Sequence, residues 1–452
     1  MTERIAISEQ LLAASRPQPW SGPLDLALCS AILLGLGGLL WLGIYGHAYD
    51  PWVRVVETRH WVRVIERPSL LWFLMGLLML TFRTLLWFRY RPFPAAVPDE
   101  APSLTVIIPA YNEGAMVEQT IDSVVAANYP KDRLEIFVVD DGSTDDTWAC
   151  IQRAAQRHPD LVTPVRFPRN QGKRAALAEG FRRGRGDVFL TIDSDSVIDA
   201  GTLLAMAGPF RDPKVGAVAG KVLVYNLGGG IIPRMLRVRY VLSFDFLRSV
   251  QSTYRTVYCC PGALAAYRAD AVRNALARWL EQTFLGAPCT YGEDRALTNY
   301  ILEDGYDTVY QRTGIVRTIV PETYGKLCCM YIRWERSNIK EEIRFARVVW
   351  RRPAGPRIIA IVDKIITNLR YPVAYATLAL LVVWSIDDPQ TILRLFLAIG
   401  GISLLNMLYY LRSERSWDFL YGVIYSYYFF LTMFWIFPYA AATLRSRSWL
   451  TR

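Results

Sequence analysis

Apolar residues gather in five stretches, two before and three after a long region of mixed polarity. Residues 25–45 and 69–88 are each long enough to cross a hydrocarbon core at about 1.5 Å per helical residue. Arg83 lies near the inner end of the second. The later stretches fall near 371–386, 391–411 and 419–444. Basic flanks mark the cytosolic side of such helices. FRYRPF, behind the second stretch, puts the polar region that follows in the cytosol, and two crossings then put the N-terminus there as well. Asp387 and Asp388 place one loop outside, and Arg412 and Arg415 place the next inside. The last stretch contains Pro438 and runs into LRSRSWLTR, so both its flanks read as cytosolic and it is expected to be re-entrant or interfacial. A late start and the lack of a small-residue cleavage pattern argue against a signal peptide.

The polar middle alternates between two periods. RPFPAAVPDEAPS (91–103) is a linker leading to SLTVIIPAYNE, which reads as a buried strand and a loop. Helical spacing over 114–127 precedes a second strand, LEIFVVDDG (134–142). A helix near 144–158, a strand near 161–167, a helix near 171–184 and the strand DVFLTID (187–193) follow. Strands alternating with helices predict an α/β domain with a mostly parallel sheet covered on both faces. Ligands of such sheets bind beyond the carboxyl ends of the strands. Farther on, 326–350 (KLCCMYIRWERSNIKEEIRFARVVW) is amphipathic and basic, as suits a helix on a membrane surface. The expected organisation is a cytosolic segment over 1–24, two transmembrane helices within 25–90, and a cytosolic α/β domain over 91–325. Amphipathic interfacial helices over 326–370 and transmembrane or re-entrant segments with a cytosolic tail over 371–452 complete it.

Charge and cysteines narrow the chemistry. Lys and Arg number 51 against 41 Asp and Glu, a net +10, and the basic residues flank apolar runs. That pattern points to lipid headgroups and a phosphate-rich ligand. No nucleic-acid motif is present. Seven cysteines without a Cys-x-x-Cys pair, and three histidines, argue against zinc. Adjacent pairs such as Cys259-Cys260 are poor disulfide partners and read as small buried thiols in a reducing compartment.

Three acidic groups carry the candidate chemistry. Asp140-Asp141-Gly142 closes one strand, Asp193-Ser194-Asp195 closes another, and Glu293-Asp294 follows about a hundred residues later. A hard cation such as Mg²⁺ or Mn²⁺ takes oxygen ligands and leaves room for phosphate oxygens. Asp-x-Asp at a strand end suits it, because alternation points both carboxylates past the sheet rim. A separate carboxylate within reach of an acceptor hydroxyl can act as a general base. Singly, such groups are often turns, helix caps or surface pairs. Together, on this scaffold, they suit transfer from a nucleotide sugar.

The stretches IIPAYNEG (107–114), VVDDGS (138–143), NQGKRAAL (170–177), IDSDS (192–196), CCPGALAAYR (259–268), GEDRALTNYIL (292–302), IRWERS (332–337) and WLTR (449–452) resemble the membrane-integrated, processive branch of the family 2 glycosyltransferases. Bacterial hyaluronan synthases and the chitooligosaccharide synthases of nodulation-factor assembly look most similar. The resemblance implies a GT-A-like (Rossmann-like) cytosolic domain with α-helical transmembrane and interfacial helices. It implies inverting β-transfer from a UDP-sugar to a growing polysaccharide, coupled to export, by a monomer in the plasma (inner) membrane. Donor contacts are then expected at Tyr111, Glu113, Asp140, Lys173, Asp193, Arg333 and Arg452, and metal ligands at Asp195 and Asp193. The resemblance makes Asp294 the base with Glu293 in support, and gives the acceptor Trp334, Cys260, Pro261 and Gly262. Met330 stands where the family has Gln, a position that Arg336 is a candidate to cover. Tyr371, Tyr375, Tyr409, Tyr425, Tyr427 and Tyr428 are candidates to line a channel, although packing explains most such residues. Hyaluronan-like and chitin-like products both stay open. So does a non-processive transferase adding one sugar to a lipid carrier.

Overall fold

The computed structural model describes residues 22–44 and 63–446. The expected N-terminal segment up to residue 21 and the WLTR tail lie outside them. Two apolar helices come first, α1 (Pro23–Ile44) and α2 (Arg63–Arg89). The α/β domain then runs β1 (Leu104–Ala110), α3 (Met116–Val125), β2 (Leu134–Asp140), α4 (Thr147–Arg157), β3 (Val162–Arg166), α5 (Lys173–Arg183) and β4 (Val188–Ile192). It continues through β5 (Ser196–Ile198), α6 (Thr202–Ala207), β6 (Val215–Val224), α7 (Ile231–Tyr240), a π-helical turn (Val241–Phe246) and α8 (Leu247–Thr253). After these come β7 (Leu264–Arg268), α9 (Ala269–Leu280), the small hairpin β8 (Thr283–Phe284) and β9 (Ala287–Pro288), α10 (Glu293–Glu303) and β10 (Asp307–Thr318).

Eight strands form one sheet in the order β3-β2-β1-β4-β7-β6-β10-β5. β3, β2, β1 and β4 pair in parallel, as do β6 and β10. β7 is antiparallel to β4 and β6, and β5 to β10. The sheet is therefore mostly parallel, as the alternation predicted. Every residue of β1 is buried, which requires cover on both faces. Val106, Ile108, Leu190 and Ala266 join a core with Ile121 of α3, Ile151 of α4 and Leu203 of α6. Ile107, Phe189, Ala265 and Tyr267 turn to the other face, against Phe181 of α5, Trp279 of α9 and Ile301 of α10. The period-2 alternation of the strand residues thus builds two cores from one sheet.

The C-terminal part is helical: α11 (Tyr324–Val348), α12 (Ala354–Asp387), α13 (Gln390–Glu414), α14 (Phe419–Thr432) and α15 (Ile436–Ala442). Three helices are long and apolar enough to cross a membrane, over Pro23–Leu42, Ala354–Ile386 and Gln390–Glu414. α14 and α15 meet at 51°, the geometry of a broken span or a re-entrant loop. α12 is one continuous helix through Pro372, beginning well before the stretch that apolarity alone marks at 371. α1, α2, α8, α11, α12 and α13 share a core that includes Ile32, Trp87, Val250, Phe345, Ala360 and Tyr409, so the apolar helices pack against the α/β domain itself.

Candidate active site

A cavity of about 1770 Å³ opens at the carboxyl rim of the sheet and extends to α2, α12 and α15, where Arg83, Asp363 and Phe437 line it. Tyr111, Glu113, Lys173, Asp193, Asp195, Pro261, Gly262, Glu293, Asp294, Arg333 and Trp334 all line this one space. Eleven of the predicted residues, drawn from six separate segments, are thereby brought together.

Two are not. Asp140 is fully buried at the end of β2, where it accepts the Ser143 N–H at 3.1 Å and lies 3.2 Å from Arg166. Its neighbour Asp141 lines the cavity and accepts the N–H groups of Gln171 and Gly172 at 2.7 and 2.8 Å. Cys260 is likewise buried, its N–H bonded to Thr298, and Cys259 occupies the wall in its place. Arg452 lies outside the described residues.

The loop after β1 is shaped by side chains on the next βα connection. Thr147 Oγ1 accepts the N–H of Glu113 and of Gly114, both at 2.8 Å, and Ser143 Oγ accepts that of Asn112 at 3.0 Å. Asp193 and Asp195 sit on the turn between β4 and β5. Asp195 accepts Thr318 Oγ1–H of β10 and Ser196 Oγ–H, both at 3.1 Å. Burial, then the like charge of Asp193, holds its carboxyl above the ordinary range.

Lys173, first residue of α5, is the electrostatic hub. Its ammonium is paired with Asp193 and lies 3.3 Å from Glu293 Oε1. Burial disfavours that charge, but Asp193 and Glu293 outweigh it and raise the lysine. At Glu293 burial pushes upward, yet Lys173 and then Arg333 bring the carboxyl below its usual range. Asp294 moves the other way. Burial, then Glu293, raises it, against the pull of Lys173. Neighbouring carboxylates with opposite shifts are what an acid–base site needs.

Asp294 is held by short-range donors. Gly262 N–H reaches its Oδ2 at 3.2 Å, the Cys259 thiol the same oxygen at 3.6 Å, and Arg295 N–H its Oδ1 at 2.7 Å. Gly262 is close-packed: a β-carbon there would lie 2.9 Å from Lys173 Nζ and 3.5 Å from Asp193 Oδ1. Gly292 adopts φ +77° to start α10, and a β-carbon there would overlap Ser337 Oγ. Trp334 is flanked by Tyr331, Tyr240 and Phe244, with ring centroids at 5.6, 6.1 and 6.3 Å.

Met330 is buried against the Tyr240 hydroxyl, 3.9 Å from its sulfur. Arg336 does not cover for it. Its guanidinium is turned away, bonded to Thr443 Oγ1 at 2.8 and 3.1 Å beside the Tyr439 ring, and it is absent from the cavity wall. Of the candidate channel tyrosines only Tyr371 reaches the wall, stacked on Phe437 at 3.8 Å. Tyr409 bonds Thr84, Tyr375 the Phe434 carbonyl and Tyr427 the Phe396 carbonyl. Sequence reasoning missed the polar wall toward the apolar helices. There Arg83 meets Asp363 at 2.5 Å and Thr367 at 2.7 Å, and Glu342 takes Lys364, Asn368 at 3.2 Å and Arg295 at 3.4 Å. Charged residues inside otherwise apolar helices, Arg83 among them, were the available signal.

A divalent cation fits the rim. Asp193 and Asp195 offer hard oxygens, and the like-charge strain that raises Asp195 is what a cation relieves. Among the described residues no third His, Cys, Asp or Glu joins them in a metal-binding group, so further ligands would be phosphate oxygens and water.

An acidic rim on a mostly parallel sheet, with a lysine and an arginine over it and helices able to cross a membrane behind it, defines a membrane-associated glycosyltransferase. Residues 105–276 match the family described as glycosyl transferase family 2. An N-acetylglucosaminyltransferase of Azorhizobium caulinodans is 31% identical over 78% of this chain and 87% of its own. The chain belongs to glycosyl transferase family 2. The hyaluronan synthase of Streptococcus pyogenes serotype M1 is 36% identical over 59% of this chain and 65% of its own. The solved structure of the mannosyltransferase PcManGT from Pyrobaculum calidifontis, in complex with GDP-Man and Mn²⁺, overlays with a TM-score of 0.56 at 23% identity, covering 80% of this chain and 99% of that one. That likeness speaks for the GT-A fold.

Proposed function

We propose that this glycosyltransferase is a membrane polysaccharide synthase. It transfers sugars from UDP-sugars to the non-reducing end of a growing β-linked chain, on the cytosolic face of the plasma (inner) membrane, and passes the product toward the apolar helices. UDP-GlcNAc is the proposed donor, alone for a chitin-like chain or with UDP-GlcA for a hyaluronan-like one. The observation that carries this reading is the single cavity in which the rim carboxylates, Lys173, Arg333 and Trp334 share walls with α2 and α12.

The reaction is a single displacement. Asp294 takes the proton of the acceptor hydroxyl; its raised affinity for protons, from burial and Glu293, suits that task. The freed oxygen forms a bond to the anomeric carbon on the face opposite UDP. The bond to the diphosphate breaks, its electron pair leaves with UDP, and α becomes β. Lys173 and Arg333 lie where they can offset charge on the leaving diphosphate, and a planar guanidinium suits phosphate oxygens. Trp334 gives the acceptor ring an apolar face. Tyr111, Glu113 and Asp141 form the wall proposed for the nucleoside. Asp193 and Asp195 are the proposed holders of Mg²⁺ or Mn²⁺, which when bound supplies Lewis-acid stabilisation of the diphosphate.

The test is purified full-length protein in lipid nanodiscs, given labelled UDP-GlcNAc with and without UDP-GlcA. A long carbohydrate product is expected. A lipid-linked monosaccharide would favour the non-processive transferase, and no turnover with any nucleotide sugar would refute the reading.

A further inference from the structure

The cations lining the cavity are not all matched by acids. Arg83 sits on Asp363, Lys173 on Asp193 and Glu293, and Lys364 and Arg295 on Glu342. Arg239 and Arg248 line the same cavity, and neither has a carboxylate partner among the described residues. Arg248 is only 9% exposed. Its Nε donates to the Cys259 carbonyl at 3.0 Å, its Nη1 to the Ser243 carbonyl at 2.9 Å, and its plane lies 4.4 Å over Phe244. Arg239 donates to Ser243 Oγ, with the Tyr331 and Tyr425 hydroxyls beside it. Both guanidinium groups therefore converge on Ser243, inside the π-helical turn Val241–Phe246. Such a turn costs regular helix geometry and tends to occur at functional sites. Arg248, buried, and Arg239, half-buried, are held by neutral partners alone, which leaves charge that an anion can match.

Position decides which anion. Cys259, whose carbonyl binds Arg248, sends its thiol to Asp294 Oδ2. Lys173 and Asp193 instead meet the acidic pair through Glu293. Phe244, over which Arg248 lies, also touches Trp334. The two arginines thus belong to the Trp334 side of Asp294. A forked guanidinium pairs bidentately with a carboxylate or a phosphate, and on the acceptor side of Asp294, away from Lys173, the anion at hand is the carboxylate of a sugar.

We propose that Arg239 and Arg248, gathered by the π-helical turn beside Trp334, form a subsite for the carboxylate of an anionic sugar in the acceptor chain, so that the product contains a uronic acid. The inference rests on the synthase reading above and chooses between its two donor sets.

The experiment measures binding of two neutral-ended probes and one anionic probe to the full chain in nanodiscs, without donor: chitotetraose, cellotetraose, and a tetrasaccharide alternating N-acetylglucosamine and glucuronate. The uronate tetrasaccharide is expected to bind at least about tenfold more tightly than either neutral one, as a charge-assisted bidentate contact allows. Arg239→Gln/Arg248→Gln should cut that preference below about twofold, weakening the uronate probe several-fold more than chitotetraose. Arg248→Lys, which keeps charge and loses the fork, should retain part of it and covers the case where the double variant does not fold. Equal affinity of the wild-type protein for all three probes overturns the inference. So does displacement of the uronate probe by pyrophosphate, which would assign the arginines to the donor. Transfer from UDP-GlcNAc by a protein that shows no uronate preference would sink this inference and leave the synthase reading standing. Absence of transfer from any nucleotide sugar, alone or in pairs, would sink the reading itself.

Discussion

Replacing Lys173 with Met removes the cation that pairs with Asp193 and lies 3.3 Å from Glu293. At 3.3 Å and an effective dielectric of about 20, the Lys173–Glu293 attraction is at most about 5 kcal/mol. The side chains are 21% and 8% exposed on an open cavity, so water screening leaves roughly 2 kcal/mol, and the loss of Lys173 removes a main influence that lowers Glu293. Lys173 acts on Asp294 as well, where burial and Glu293 are the larger influences. The sign follows from direction. Lys173 works to lower an Asp294 that is already raised, so its loss raises that carboxyl further. A base must be ionised, so the acid limb of kcat/KM moves to higher pH. Glu293→Gln removes the second-largest cause holding Asp294 up, and the limb should move to lower pH. Lys173→Arg keeps the charge and should leave the limb near its original place even where kcat falls. Initial rates of labelled transfer across the acid range at saturating donor read all three. If Lys173→Met leaves the limb fixed or moves it down, or if both substitutions move it the same way, the assignment of Asp294 as the base beside this cluster fails.

Asp294→Asn should lower kcat by about 10²–10⁴ while UDP-sugar binding, followed by calorimetry, stays within about twofold; unchanged polymer yield would refute the base. Gly292→Ala should lower thermal resistance by roughly 1–3 kcal/mol and nearly abolish transfer, because φ +77° and the clash with Ser337 Oγ displace the start of α10 that carries Glu293 and Asp294. Full activity with an unchanged inactivation temperature would contradict that geometry. Chelation with EDTA should stop transfer and Mg²⁺ or Mn²⁺ restore it, and Asp195→Asn should raise the cation concentration for half-maximal rate about tenfold or more. Activity persisting in EDTA would exclude the proposed cation site.

How far the residues could be read in advance depends on how local their determinants are. β1, β2 and β4 were legible because their apolar runs end in turn residues and acids, and the structure begins and ends them within a residue or two of those signals. The convergence of the acidic groups was legible too, since parallel strands bring their carboxyl ends to one rim. Which member of a polar pair faces the cavity was not. Asp140 ends β2 pointing into the protein while Asp141 turns out, and the same one-residue question separates Cys260 from Cys259. Adjacent residues at a strand or loop end differ by a flip of side, and composition is blind to a flip. The antiparallel insertion of β7 between β4 and β6 was equally hidden, because it depends on pairing partners far along the chain.

Arg336 shows the same limit on a larger scale. Sequence position put it three residues from Arg333, one turn along α11, where i and i+3 side chains share a face. Yet Arg333 lines the cavity, and Arg336 spends its guanidinium on Thr443. Tyr291, next to Gly292, reaches the same segment through the Ser446 carbonyl at 3.0 Å, and Lys340 holds the Tyr291 hydroxyl at 3.0 Å. A row of polar residues along one amphipathic helix is therefore divided between two tasks, lining the cavity and fastening the segment that follows α15 beside it. Periodicity marks such a row as buried and polar. Only the partners, more than a hundred residues away for Arg336, decide which task each side chain performs.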